Sequence, residues 1–162
     1  MNPLHEIRQI DYTVIFARDM AAMRRFYETV MEFPLQRTLC DKWIEYRIGA
    51  NTLALAAYGG LFNDAPPPKG ALSLQLAFRV APDLVAQCAA HLEEKGVRLT
   101  HPLTDHAFGH RTIFFRDPDG NVIESMQRYD GNRQRRLCRK WTNGGNTGVL
   151  PLQPALALLA VC

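Results

Sequence analysis

The stretch FGHRTIFFRDPDGNVIE, residues 108–124, decides the fold of this chain. It contains Thr112–Arg116 and the beginning of Val122–Gln127, two runs rich in β-branched and aromatic residues that predict β-strands. Between them, the segment Asp117-Pro118-Asp119-Gly120 predicts a tight turn, because proline fixes φ and glycine accepts a positive φ. The stretch therefore predicts two neighbouring strands that close a sheet.

The first half of the chain has the order strand, helix, strands. A strand is predicted at Ile10–Phe16, and a helix begins at Asp19, followed by apolar residues at the three- and four-residue intervals typical of a helix. Two further strands are predicted at Trp43–Ile48 and Thr52–Tyr58. The proline-rich connector 63–70 ends this half, because it suits neither a strand nor a helix.

The second half repeats this order. A strand at Ser73–Val80 precedes a helix that stops at Gly96, and the remaining strands are predicted at Val97–Leu99, Thr112–Arg116 and Val122–Gln127. A shift of 63 residues places Tyr12 on Gln75, and a shift of 70 places Ala54 on Glu124. The repeated order predicts one α+β domain of two duplicated βαβββ units over residues 1–130.

Composition limits the classes of function. The 162 residues, 47% hydrophobic and 22% charged, are typical of one globular domain. Of the 19 basic residues, five lie in 131–162, which leaves 14 against 16 acidic residues in the body. Neither nucleic acid nor a membrane is expected as a partner, because the body is not basic and no apolar run approaches the roughly 20 residues of a span. The four scattered cysteines favour the reducing cytoplasm.

Two segments resemble a known family. IDYTVIFARDMAAMRRFYETVMEFPL, residues 10–35, is similar to the opening strand and helix of the vicinal oxygen chelate superfamily, and residues 108–124 resemble its ending. This superfamily includes glyoxalase I, extradiol dioxygenases, fosfomycin-modifying enzymes and bleomycin-resistance proteins. The resemblance implies two modules, at about 7–62 and 71–128, that form an open cup-shaped mixed sheet with helices packed outside. It also implies a homodimer, and the basic, then apolar extension 131–162 lies outside it.

The resemblance places the metal ligands of the family at Tyr12, Ala54, Gln75 and Glu124. Glu124 is a good ligand for a divalent metal, and Gln75 offers one carbonyl oxygen. However, a phenol with a pKa near 10 is a poor ligand at neutral pH, and Ala54 has no ligand atom. Because catalytic zinc or iron sites usually have three good protein ligands, no metal is expected; if one binds, Glu124 and Gln75 are its ligands.

The same positions suit a pocket without metal. A few convergent polar groups within an aromatic cavity are typical of a small-molecule site. The candidate ligand-binding residues are the polar groups at the family positions, the aromatic residues expected to form walls, and one arginine at the mouth: Tyr12, Gln75, Glu124, Trp43, Tyr46, Phe108 and Arg111.

Three functions are therefore considered. The first is metal-independent sequestration of a small aromatic or cationic compound, as in the bleomycin-resistance branch. The alternative is a metal-dependent lyase or dioxygenase that acts on a substrate with adjacent oxygens. The third is catalysis without metal, with Glu124 as a base whose pKa is raised by burial. The two missing histidines favour the first.

Overall fold

The computed structural model describes residues 2–60, 62, 64–68, 70–81, 83–106 and 109–128. Phe108 and the extension 131–162 lie outside these residues, so the expectations for them stay predictions. No helix in the described ranges is long and apolar enough to cross a membrane.

The first module contains one four-stranded sheet and one helical segment. A short 3₁₀ turn at Pro3–Glu6 precedes it. The helix α1 spans Met20–Arg25 and continues as a π-helical turn at Phe26–Val30, and the side chain of Asp19 caps it by accepting a hydrogen bond from the Ala22 amide. The strands are β1 Tyr12–Ala17, β2 Leu35–Cys40, β3 Trp43–Ile48 and β4 Asn51–Ala57, in the sheet order β1-β4-β3-β2.

The second module repeats this arrangement. Its helix α2 spans Leu84–Glu94, and its strands are β5 Gln75–Arg79, β6 His101–Asp105, β7 His110–Arg116 and β8 Val122–Arg128. The sheet order is β5-β8-β7-β6, and in each module the first strand pairs in parallel with the last. The structure therefore confirms the α+β fold of two βαβββ modules.

Two strands differ from the prediction. Strand β2 was not expected, because all six of its residues are exposed and the sequence LQRTLC lacks an apolar alternation. A strand was predicted at Val97–Leu99, but these residues connect α2 to β6, which begins at His101. Val97 and Leu99 still pack against the core, so their apolar character reflects burial and not strand pairing.

One hydrophobic core joins the two modules. In each strand, successive side chains point to opposite sides of the sheet, and one side of each sheet contributes to this core. Each fully buried large apolar side chain stabilises the fold by about 1.5–3 kcal/mol. The modules contact each other through the ring pairs Phe26–Phe115 and Phe33–Phe78, whose centroids lie 6.4 and 5.2 Å apart, and through a hydrogen bond from Tyr27 to Asp117.

The opposite side of each sheet is called here its open face. Register and alternation place these residues on the first open face: Tyr12, Val14, Phe16, Trp43, Glu45, Arg47, Thr52, Ala54 and Ala56. By the same argument, the second open face contains these residues: Gln75, Ala77, Arg79, Thr112, Phe114, Val122, Glu124 and Met126. Tyr12 and Phe16 are 48% and 40% exposed although both are aromatic, so the first open face offers apolar surface to solvent.

Candidate functional site

A covered carboxylate lies on the second open face. Glu124, on β8, is only 7% exposed, and its Oε2 accepts a hydrogen bond of 2.9 Å from Nε2 of Gln75 on β5. Burial raises the pKa of Glu124, and the bond from Gln75 opposes that shift. The result is an acid that takes up a proton more readily than an exposed glutamate does.

Aromatic and polar side chains lie on the same face of the second sheet as this carboxylate. Phe114, on β7, stands opposite Glu124 in the register, and the ring of His101 meets Phe114 edge-on at 5.6 Å. Two residues before Phe114 on β7, Thr112 stands opposite Met126 in the register. Its Oγ1 lies 2.7 Å from Nε2 of His106. The second open face thus combines one acidic group with an aromatic wall.

The first open face contains a second acidic group in a different environment. Glu45, with a side chain 4% exposed, accepts bonds of 2.7 and 3.0 Å from Nη2 and Nε of Arg37, and one of 2.7 Å from the indole Nε1 of Trp43. The hydrogen bond from Arg37 lowers the pKa of Glu45. The ring of Tyr12 meets Trp43 edge-on at 5.8 Å, so Glu45 fixes an aromatic pair.

Sequence reasoning missed Glu45 and Arg37. The available signal was the position of Glu45 two residues after Trp43, because period-two alternation places both on one face of a strand. A charged residue inside the run WIEYRI is otherwise unexpected in a sheet that packs on a core.

A cavity of about 250 Å³ opens at the end of this face. Ala50 lines one part of it, and polar or charged residues line the rest: Gln9, Asp11, Tyr12, Gln36, Arg37, Glu45, Arg47 and Thr52. Its walls therefore suit a ligand that offers both hydrogen-bond donors and acceptors.

The predicted site residues fall into separate groups. Gln75 and Glu124 meet on the second sheet, and Tyr12 and Trp43 meet on the first. Tyr46 does not reach an open face, because it is fully buried in the core, where its hydroxyl donates to Oε1 of Glu28. Arg111 likewise lies on the other side of β7 from Thr112 and pairs with Asp105 at 2.7 and 2.8 Å.

A family model described as Glyoxalase/Bleomycin resistance protein/Dioxygenase superfamily matches residues 9–125. The chain belongs to this superfamily. The resemblance inferred from residues 10–35 and 108–124 is thereby confirmed. No curated protein sequence gives a significant match.

Three solved structures have the same fold as this chain. A glyoxalase/bleomycin resistance protein/dioxygenase from Nocardioides is 20% identical, with a TM-score of 0.66 over 77% of this chain and 86% of that one. A lactoylglutathione lyase from Agrobacterium tumefaciens is 22% identical, with a TM-score of 0.60 over 74% and 92%. A virulence protein from Salmonella typhimurium is 24% identical, with a TM-score of 0.62 over 76% and 98%. At these identities the likeness establishes the fold alone.

The side chains at the four positions that the resemblance assigns to metal ligands do not fit a metal ion well. Ala54 lies on the first open face and offers no ligand atom, and Tyr12 offers only a phenol. Gln75 directs its amide nitrogen at Glu124 as a hydrogen-bond donor. Among the residues that the structure describes, no group of three His, Cys, Asp or Glu side chains could hold a metal.

Proposed function

We propose that this glyoxalase superfamily protein binds and sequesters a small aromatic or cationic compound without a metal ion, in the cytoplasm. The supporting observation is Glu124, a largely covered carboxylate whose hydrogen-bond partner Gln75 is neutral. A covered carboxylate without a cationic partner is costly, and a ligand cation would offset that cost. Glu124 would therefore contact a cationic or donor group of the ligand.

The aromatic side chains on the open faces support an aromatic or cationic ligand. Phe114 stands beside Glu124, and Tyr12 and Trp43 contact each other on the first sheet. A cation over the face of an aromatic ring is stabilised by about 0.5–2 kcal/mol, depending on how far it is desolvated. Gln75 and Tyr12 would orient the ligand through hydrogen bonds.

We further propose that two copies of the chain complete the pocket. Within one copy the modules pack through their core-facing sides, and Tyr12 and Phe16 on the first open face stay partly exposed to solvent. Strands β1 and β5 stand at the ends of their sheets, so one edge of each lacks a partner in the described part of the chain. Pairing between copies would satisfy these edges and cover Tyr12 and Phe16.

Elemental analysis and thermal shift test this proposal. The purified full chain should contain no stoichiometric metal, and Zn, Ni, Mn or Fe should not raise its melting temperature. A panel of cationic aromatic compounds should contain stabilising ligands whose effect falls on Glu124→Gln. Stoichiometric metal that is lost on Glu124→Ala would instead establish the alternative, a metal-dependent lyase or dioxygenase with Glu124 as a ligand.

Catalysis by Glu124 without metal is the second candidate. The observation that favours it is the burial of Glu124, which raises the pKa of its carboxyl group above the ordinary value of a glutamate. Turnover of a bound compound that stops on Glu124→Gln, while binding persists, would distinguish catalysis from sequestration.

A further inference from the structure

We propose that the 250 Å³ cavity at the end of the first open face binds the charged end of a zwitterion, an aromatic α-amino acid or a close analogue. Arg47 would bind the carboxylate, Asp11 would bind the ammonium group, and the aromatic body would lie against Tyr12. The inference rests on the proposed function and specifies the ligand class for this part of the site.

The charges of the cavity show which groups are available. Arg37 and Glu45 neutralise each other through two parallel hydrogen bonds, and Glu45 also accepts from Trp43. Arg47 and Asp11 also line the cavity, and neither side chain has a hydrogen bond or an ion pair within the described residues, including with the other. The cavity thus contains one cationic and one anionic side chain that form no ion pair with each other.

The register places these two charged residues on opposite sides of β4. Arg47 on β3 stands opposite Thr52 on β4, and Thr52 stands opposite Tyr12 on β1, directly after Asp11. Since neighbouring strands lie about 4.8 Å apart, the backbones that support the two charges are separated by roughly 10 Å across β4. In the proposed complex the zwitterion lies between them, with its carboxylate towards Arg47 and its ammonium group towards Asp11.

The bonding geometry of each charged group suits one end of an amino acid. The planar guanidinium of Arg47 can donate two parallel hydrogen bonds to a carboxylate. The carboxylate of Asp11 accepts from an ammonium group. Tyr12 lines the same cavity and contacts Trp43, whose indole is held by Glu45, so an aromatic surface begins where the charged groups end.

Three ligands that differ only in charge test the inference. Isothermal titration of the full chain would compare L-phenylalanine with 3-phenylpropionate, which lacks the ammonium group, and with phenethylamine, which lacks the carboxylate. L-phenylalanine should bind at least about tenfold more tightly than either. Arg47→Gln should remove its advantage over phenethylamine, and Asp11→Asn its advantage over 3-phenylpropionate.

Arg25→Gln is the matched control, because Arg25 is an exposed arginine on α1 outside the cavity. It should leave all three affinities unchanged, and thermal unfolding of each variant would verify its fold. Equal binding of the three compounds, no binding of L-phenylalanine, or an unchanged affinity in Arg47→Gln would overturn the inference. Phenethylamine binding that depends on Glu124 but not on Asp11 would overturn it and leave the proposed function standing.

Discussion

The hydroxyl of Tyr27 donates a hydrogen bond of 3.1 Å to Oδ2 of Asp117 and thereby joins the helix of the first module to the closing turn of the second. Both side chains are buried, and burial raises the pKa of each. Asp117 also accepts bonds from the backbone amides of Asp119 and Asn121, so it organises its own turn. One carboxylate therefore shapes a turn and fixes the relative position of the modules.

Tyr27→Phe should reduce the free energy of unfolding by about 1–3 kcal/mol, because a buried carboxylate loses one of its donors. Urea denaturation of the full chain measures this loss. Tyr58→Phe is the matched control, since the ring of Tyr58 contacts Phe16 and its hydroxyl has no hydrogen bond within the described residues. Equal stability of the two variants would contradict a role for the bond in module packing.

Much of the fold was predictable because its signals are local. Asp19 caps α1 as expected, and the turn at 117–120 closes through a bond of 3.0 Å from the Gly120 amide to the Asp117 carbonyl. Gly120 has a φ of 89°, which explains the glycine there. Strand β2 was not predictable, because its pairing with β3 depends on the backbone and not on an apolar pattern.

The site was predictable only in part. Trp43 and Tyr46 were both expected to form pocket walls, but they are three residues apart in one strand and therefore lie on opposite faces. The alternation of side chains along a strand already predicts these opposite faces from the sequence alone. Arg37 and Glu45 stand opposite each other in β2 and β3, but the register of these strands shifts on either side of Arg37 and Thr38, so no regular spacing in the sequence indicates the contact.

The two open-face carboxylates should affect stability with opposite dependence on pH. Burial raises the folded pKa of Glu124, so its favourable contribution is complete below the unfolded pKa and is lost as pH rises through the folded pKa. The stability difference between wild type and Glu124→Gln should therefore shift in favour of the variant as pH rises from 4 to 8. Urea denaturation at several pH values measures this difference.

Glu45→Gln is the matched comparison. The bond from Arg37 lowers the folded pKa of Glu45, so its contribution is present above the unfolded pKa and is lost as pH falls through the folded pKa. The variant should therefore be most destabilised, relative to wild type, near neutral pH and least in acid. Parallel pH profiles of the two variants would contradict the different environments assigned to these carboxylates.

Glu45→Gln should also change the surroundings of Trp43. The indole loses a charged acceptor 2.7 Å away, so the ring should become more mobile and more accessible to water. The chain contains two tryptophans, and Trp141→Phe leaves Trp43 as the one reporter. In that background, Glu45→Gln should raise acrylamide quenching of the fluorescence, whereas Glu124→Gln should not. Equal quenching in both variants would show that Glu45 does not hold the indole.

The proposed assembly predicts a mass of twice 18.3 kDa in solution. Phe16→Lys should convert this dimer to monomer, because Phe16 is 40% exposed on β1, at the end of the sheet where the second copy is proposed to pair. Leu39→Lys is the matched control, since Leu39 is 58% exposed on β2, at the opposite end of the same sheet. Sedimentation velocity measures the mass of the wild type and of each variant in solution. A dimer that is disrupted by Leu39→Lys and not by Phe16→Lys would place the contact between copies elsewhere. A monomeric wild type would exclude the proposed dimer.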